Sequence, residues 1–118
     1  MLSVEEYDAL VEMDPYKFLK YIQTQFYVDT PLGFDTLQDI SGVANILMEL
    51  TAKKELLYGL AAYLKLKTRE KKREGDKLIY EDMVDRKEIV EYALDILKDK
   101  YAAISRSVTI VMNKEGIR

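Results

Sequence analysis

The sequence contains no cysteine and no histidine, and only two prolines and five glycines interrupt its 118 residues. Without cysteine or histidine the chain has no disulfide, no thiol nucleophile, no His-dependent catalytic triad and no Cys/His zinc site. No uncharged apolar run approaches the ~18 residues of a membrane span. The acidic beginning, with Glu5 and Glu6, is not typical of a signal peptide. We therefore expect a soluble, cytoplasmic protein with no cofactor, no metal and no membrane contact.

The composition that remains predicts a single folded domain with an uneven charge. Hydrophobic residues make up 48% and charged residues 33% of the chain, which is enough apolar material for a core. The net charge is −3, but residues 1–40 carry eight acids and two bases, a net charge of −6. Residues 41–118 carry thirteen acids and sixteen bases, a net charge of +3. The two parts therefore present different surfaces to a partner.

A first short helix is predicted immediately after the N-terminus. Ser3 and Glu6 have the spacing of a capping box, in which the two side chains satisfy free backbone N–H groups of the first helical turn. The helix is expected from Val4 to about Met13.

A second short helix follows from the Asp14-Pro15 pair. Asp14 is a good N-cap, and Pro15 is tolerated at the first helical position because the N–H that it lacks would have no partner there. This helix is expected to end near Tyr27. Residues 28–35 then read as a loop, and residues 36–40 as a short helical turn.

A much longer helix is predicted from Val43 to Glu74, after a cap at Ser41-Gly42. This stretch lacks proline and contains one glycine, Gly59, and leucines recur every seven residues along it. Gly75-Asp76 then predicts a helix end followed by a new N-cap.

The second long helix carries its own heptad pattern. Apolar residues recur every seven positions, at Met83, Val90, Leu97, Ile104 and Val111. Four residues after the first four of these come Lys87, Leu94, Tyr101 and Val108. This pattern favours a helix to about Met112. The β-branched and hydroxyl residues of 105–111 leave a strand open as an alternative there.

The lengths of these helices predict an oligomer. Each long helix would span ~45 Å at ~1.5 Å per residue. The heptad residues form an apolar stripe, or seam, along each long helix, and the two short helices are too small to cover both seams. We therefore expect an all-α chain: two short N-terminal helices and a long helical hairpin that oligomerises through its heptad seams. The predicted interface residues are Leu50, Leu57, Leu64, Met83, Val90, Leu94, Leu97, Tyr101 and Ile104. The alternative is a compact monomeric bundle with one long helix kinked near Gly59.

An acidic helix face provides weak grounds for an enzyme. Carboxylates with i, i+3 and i+4 spacing can hold Mg²⁺, as in all-α nucleotide pyrophosphatases, and they occur at Glu81, Asp82, Asp85 and Glu88. Such enzymes need a second acidic pair on a neighbouring helix, which this sequence does not offer. Arg86, Lys87 and Lys98 also lie close enough to form ordinary surface ion pairs with these acids. We therefore predict that the protein is not an enzyme.

The end of the first long helix is strongly basic. Six cations occur within nine residues and one more follows, at Lys65, Lys67, Arg69, Lys71, Lys72, Arg73 and Lys77. Cations spread around a helix can track a phosphate backbone, and nearby tyrosines (Tyr58, Tyr63, Tyr80) offer rings on which bases could stack. The alternative is a solvated charge run that only favours the helix.

The layout of residues 43–118 resembles the UvsY-type recombination mediators of tailed bacteriophages. The resemblance is carried by Leu64–Arg69 before Gly75, and by Leu94–Lys98 followed by Ile104–Arg106. It implies a helical homo-oligomer in a phage-infected cell that binds single-stranded DNA. It also implies loading of a RecA-like recombinase onto strands covered by single-strand-binding protein, with the seven basic residues contacting phosphates.

A different function also fits the sequence. The acidic N-terminal helices and an exposed apolar seam are compatible with a small protein–protein adaptor or inhibitor. A Mg²⁺-dependent nucleotide pyrophosphatase is the least favoured interpretation.

Overall fold

A computed structural model describes residues 2–30, 42–114 and 116, and these residues form helices without any strand. The four helices are α1 (Val4–Glu12), α2 (Pro15–Gln25), α3 (Val43–Glu74) and α4 (Lys77–Lys114). The molecule is elongated, 61 × 22 × 19 Å, with a radius of gyration of 18.0 Å. A compact chain of this length would have a radius of gyration of ~13.5 Å. The predicted all-α class and long hairpin are confirmed.

The long helices settle two alternatives that the residue pattern left open. The strand considered for 105–111 is wrong, because α4 runs unbroken to Lys114. α3 is also continuous through Gly59 over its 32 residues. The short helical turn predicted over 36–40 and most of the loop before it lie outside the described residues.

The two short helices begin with the predicted caps. In α1 the Ser3 Oγ accepts a hydrogen bond from the Glu6 backbone N–H at 3.2 Å. In α2 the Asp14 carboxylate accepts from the backbone N–H groups of Tyr16 and Lys17, at 3.1 and 3.3 Å. These side chains satisfy N–H groups that would otherwise have no partner in the helix.

Gly75 and Asp76 form the turn of the hairpin. Gly75 has φ +79°, a left-handed conformation that glycine adopts without steric strain, and its N–H donates to the Lys72 carbonyl at 3.2 Å. Asp76 Oδ1 then accepts from the Ile79 N–H at 3.1 Å and caps α4. The reversal lets α3 and α4 pack antiparallel along most of their length.

The two heptad seams face each other inside one chain. Eight of the nine predicted interface residues are buried among α1–α4: Leu50, Leu57, Leu64, Met83, Val90, Leu94, Leu97 and Ile104. The ninth, Tyr101, is half-buried against the same core. Because one seam covers the other, these residues need no second copy for their burial. This corrects the expectation, drawn from the helix lengths, that the seams pack against another copy. Copies of the chain that assemble must therefore meet through other faces.

Two cation–π contacts cross the hairpin and help to fix its register. Lys54 lies four residues after Leu50 on α3, and its Nζ is 4.2 Å from the centre of the Tyr101 ring. Lys98 lies 5.2 Å from the ring centre of Tyr58. The pKa of Lys98 is raised above its ordinary value, chiefly because the Tyr58 side chain interacts favourably with the ammonium group. The lysine stems add apolar cover while their ammonium groups contact the ring faces.

Helix α1 lies against α3 at Gly59. Tyr7 stacks on Tyr63 with ring centres 5.1 Å apart, and the Tyr63 hydroxyl donates a hydrogen bond to the Asp8 carboxylate. A Cβ at position 59 would collide with the Tyr7 hydroxyl. Gly59 therefore provides the space in which Tyr7 docks α1 on the long helix.

Arg86 joins α1 and α2 to α4. It is only 4% exposed, although the sequence suggested an ordinary surface ion pair. Its Nε donates to Asp82 Oδ2 at 2.8 Å, its Nη1 to the Leu10 carbonyl at 3.4 Å, and its guanidinium lies 5.1 Å from the centre of the Phe18 ring. It thus supplies a cation and a donor to the last turn of α1.

We expect Arg86→Met to lower the free energy of unfolding by about 1–3 kcal/mol, since the side-chain volume is kept while charge-assisted hydrogen bonds are lost. Urea unfolding followed by circular dichroism measures the change. Arg106→Met, at an exposed position of the same helix, is the control and should change stability by less than about 0.5 kcal/mol. Equal effects in the two variants would contradict the role assigned to Arg86.

Candidate nucleic-acid interface

Five of the seven predicted basic residues form an exposed patch at the hairpin turn. We call this patch the tip surface, and its members are Lys65, Arg69, Lys72, Arg73 and Lys77. The first four lie on the last three turns of α3, and Lys77 is the first residue of α4. Within the described residues none of the five forms a salt bridge with a carboxylate. Their charges are therefore available to an anionic partner.

The other two basic residues, Lys67 and Lys71, point to a different side of α3. Lys67 pairs with Glu70 at 3.3 Å and Lys71 with Glu74 at 3.2 Å, and both lysines are about 70% covered. They line a cavity of about 340 Å³ between α1, α3 and α4, together with the carboxylates Asp8, Glu12 and Asp82. The structure thus divides the basic cluster, because residues four apart on a helix share a face and these two share the face toward α1.

The basic residues at the end of α3 also have a structural role in the helix. Lys71, Lys72 and Arg73 occupy the last turn of α3. Cations there interact favourably with the partial negative charge of the helix C-terminus, by about 0.3–1 kcal/mol each at an exposed site. A functional test of these residues therefore needs a folding control.

The tyrosines near the basic cluster are not equally placed for stacking on bases. Tyr63 is occupied by Tyr7 on one face, and Lys67 lies 5.4 Å from its ring centre. Tyr58 is exposed but carries Lys98 over its ring, and Tyr80 is half-buried. The geometry therefore favours contacts with phosphates over stacking on these rings.

The acidic face of α4 does not assemble a metal site in the described part of the chain. Asp82 is engaged by Arg86, whereas Glu81, Asp85 and Glu88 are exposed. No group of three or more acidic side chains among the described residues is placed to hold a metal ion. Within the described residues, no helix contains an 18-residue stretch apolar enough to span a bilayer.

Two further lysines that are not part of the basic cluster hold the chain after α2. Lys53 from α3 donates to the Tyr27 carbonyl at 3.1 Å, and Lys100 from α4 donates to the Val28 carbonyl at 2.7 Å. The Lys100 ammonium also lies 4.4 Å from the centre of the Tyr27 ring. These two cations are used to satisfy backbone carbonyls near the core.

Sequence reasoning missed an apolar groove between α2 and α4, of about 630 Å³. A second heptad series on α4 could have revealed it: Ile89, Ile96, Ala103 and Ile110 each lie one position before a residue of the buried seam. In a helix this shift of about 100° places the series on a neighbouring face. α2 covers only part of that face.

Fold and surface together define an all-helical protein built on a long antiparallel hairpin, with a basic patch at its turn. Comparison with protein-family models, with curated proteins and with solved structures finds no match to the chain.

Proposed function

We propose that this chain is a non-enzymatic accessory protein of recombination or replication that binds single-stranded nucleic acid through the tip surface. The observation that carries the proposal is the group of five exposed cations free of salt bridges in the described chain, on a protein of net charge −3. Such a patch attracts phosphates even though the whole molecule is slightly acidic.

The resemblance to UvsY-type mediators supports the further proposal that the bound strand is passed to a recombinase, with a single-strand-binding protein as a second partner. Several copies would bind one strand better than a single copy, because each additional contact becomes intramolecular. In this proposal the copies meet through faces outside the buried heptad seams.

The structure separates two pairs of basic residues on the same helix, which allows a matched test. Five phosphate contacts on a single strand give a slope of log K against log salt of about −3.5, and the binding constant falls about a hundredfold between about 50 and 200 mM salt. We expect Lys72→Ala with Arg73→Ala to reduce this slope to about −2. Lys67→Ala with Lys71→Ala should leave it nearly unchanged, because those lysines are paired with Glu70 and Glu74.

Fluorescence anisotropy with a labelled strand of about 30 nucleotides measures these slopes. An equal reduction of the salt slope in the two double variants would contradict the assignment of Lys67 and Lys71 to a surface that does not contact phosphates. The absence of binding by the unaltered protein at low salt would contradict the proposed function itself.

The adaptor remains a second candidate function, and the groove between α2 and α4 is the observation that favours it. The surface it indicates combines the apolar and uncharged end of α2 with an outer face of α4 that carries Asp85 and Glu88.

A further inference from the structure

The groove between α2 and α4 has an apolar floor and an apolar edge, and the edge is exposed to solvent. The floor is formed by Ile22 and Phe26 at the end of α2 and by Ile89 and Ala93 of α4. The edge is formed by Tyr92 and Ile96. Tyr92 is 70% exposed and Ile96 is 40% exposed. Apolar side chains that line a groove between two helices can pack against the apolar stripe of another helix.

The two lips of the groove differ in charge. Asp85 and Glu88 line it from α4, both are exposed, and within the described residues neither forms a salt bridge. On the α2 side the polar lining consists of the amide of Gln23 and the phenol of Tyr27, not of carboxylates. Among the described lining residues Lys100 is the one cation, and it donates to the Val28 carbonyl. Because two carboxylates stand against one ammonium group, the net charge of the described lining is negative.

The dimensions of the groove match a helix. Its lining on α4 extends from Asp85 to Lys100, which is ~22 Å at ~1.5 Å per residue, or about four helical turns. A helix laid between two helices can bury one apolar stripe and direct its polar flanks toward the lips.

We propose that this groove binds an amphipathic helix of another protein, about 15 residues long, with an apolar stripe and a basic flank. Its apolar residues would contact Ile89, Tyr92 and Ile96, and its lysines or arginines would face Asp85 and Glu88. The proposal goes beyond nucleic-acid binding and gives the adaptor candidate a defined surface. The groove shares no residue with the tip surface, so the two interactions can be tested separately.

The first experiment uses two synthetic helical peptides of about 15 residues with the same leucine pattern. One carries lysine at every polar position and the other carries glutamate. We expect the full-length protein to bind the Leu/Lys peptide at least about tenfold more tightly than the Leu/Glu peptide, by fluorescence anisotropy of the labelled peptides. Equal affinity for the two would contradict the charge argument.

A charge-matched pair of variants then locates the site. Asp85→Lys with Glu88→Lys should weaken binding of the Leu/Lys peptide at least about tenfold and improve binding of the Leu/Glu peptide. Asp95→Lys with Asp99→Lys changes the net charge equally on exposed positions of α4 outside the groove, and should have a much smaller effect. Similar losses in the two variants would show attraction to overall charge and overturn the proposal.

Methyl NMR of the unaltered protein gives a readout that does not depend on substitutions. Adding the Leu/Lys peptide should shift the methyl signals of Ile89 and Ile96, while buried Ile104 and exposed Ile110 remain in place. Shifts confined to other isoleucines would overturn the assignment.

Two other occupants would each give a distinct result. If the groove binds a second copy of this chain, light scattering should show a dimer that becomes monomeric in the Asp85→Lys, Glu88→Lys variant. If it binds a small apolar molecule, a neutral apolar dye should shift Ile89 and Ile96 and stay bound when the peptide is added. Either result overturns the proposal, and neither affects single-strand binding at the tip surface.

Discussion

Replacing Leu57 with alanine is expected to lower the free energy of unfolding by about 2–5 kcal/mol, the usual range for a leucine removed from a well-packed core. Leu57 is fully buried in the seam between α3 and α4. Its neighbours belong to long helices joined by a short turn, so they cannot easily close the cavity. Urea unfolding followed by circular dichroism measures the loss.

The same variant tests whether the heptad seam is internal to one chain. With an internal seam, Leu57→Ala reduces stability and leaves the molecular mass of the folded species unchanged in light scattering. If the seam joined copies, the variant would dissociate while still folded, and its stability would change with protein concentration. That second pattern would contradict the packing described above.

Leu66 is the matched control for Leu57. It lies on the same helix, nine residues further along, and its side chain is 63% exposed. Leu66→Ala should change stability by less than about 0.5 kcal/mol, because little apolar area is withdrawn from water at this position.

Reversing the charge of Lys65, Arg69, Lys72 and Arg73 to glutamate is expected to weaken binding of a single strand more than about a hundredfold at low salt. The reversal removes four of the five exposed cations of the tip surface and places four carboxylates where phosphates would lie. Each phosphate contact also contributes about 0.7 to the salt slope, so any residual binding should be almost insensitive to salt. Anisotropy titrations at two or more salt concentrations provide both quantities.

The control for this reversal has the same net charge. Lys17, Lys20, Arg106 and Lys114 are exposed bases away from the hairpin turn, and their change to glutamate should leave most of the binding intact. Circular dichroism of both variants is needed, because Lys72 and Arg73 also stabilise the end of α3. A comparable loss in the control would show that only total charge matters and would contradict the proposed interface.

Local features of the fold were predictable because they depend on residues close in the chain. The Ser3 and Asp14 caps and the Gly75-Asp76 turn each involve contacts within about four residues, so their chemistry can be read directly from the sequence. The heptad spacing likewise determines which face of each long helix is apolar.

What covers each apolar face is a question that spacing cannot answer. The same heptad pattern would serve a seam between copies or a seam within one hairpin, since the residues and their period are identical in both. Burial of Leu50, Leu57, Val90 and Leu97 inside the chain decides for the hairpin. The second apolar series on α4 became recognisable as a groove only once the position of α2 was known.

The use of each charged side chain was also decided by tertiary structure. The sequence alone determined that the end of α3 is basic and that the N-terminal part is acidic, because charge is a property of composition. Only the packing of α1 against α3 and α4 covered Lys67 and Lys71 and left Lys65, Arg69, Lys72 and Arg73 exposed. The same packing explains why Arg86, which the sequence placed in a surface ion pair, is buried and connects α1 and α2 to α4. Its partners Leu10 and Phe18 are distant in sequence, and their approach depends on the whole fold.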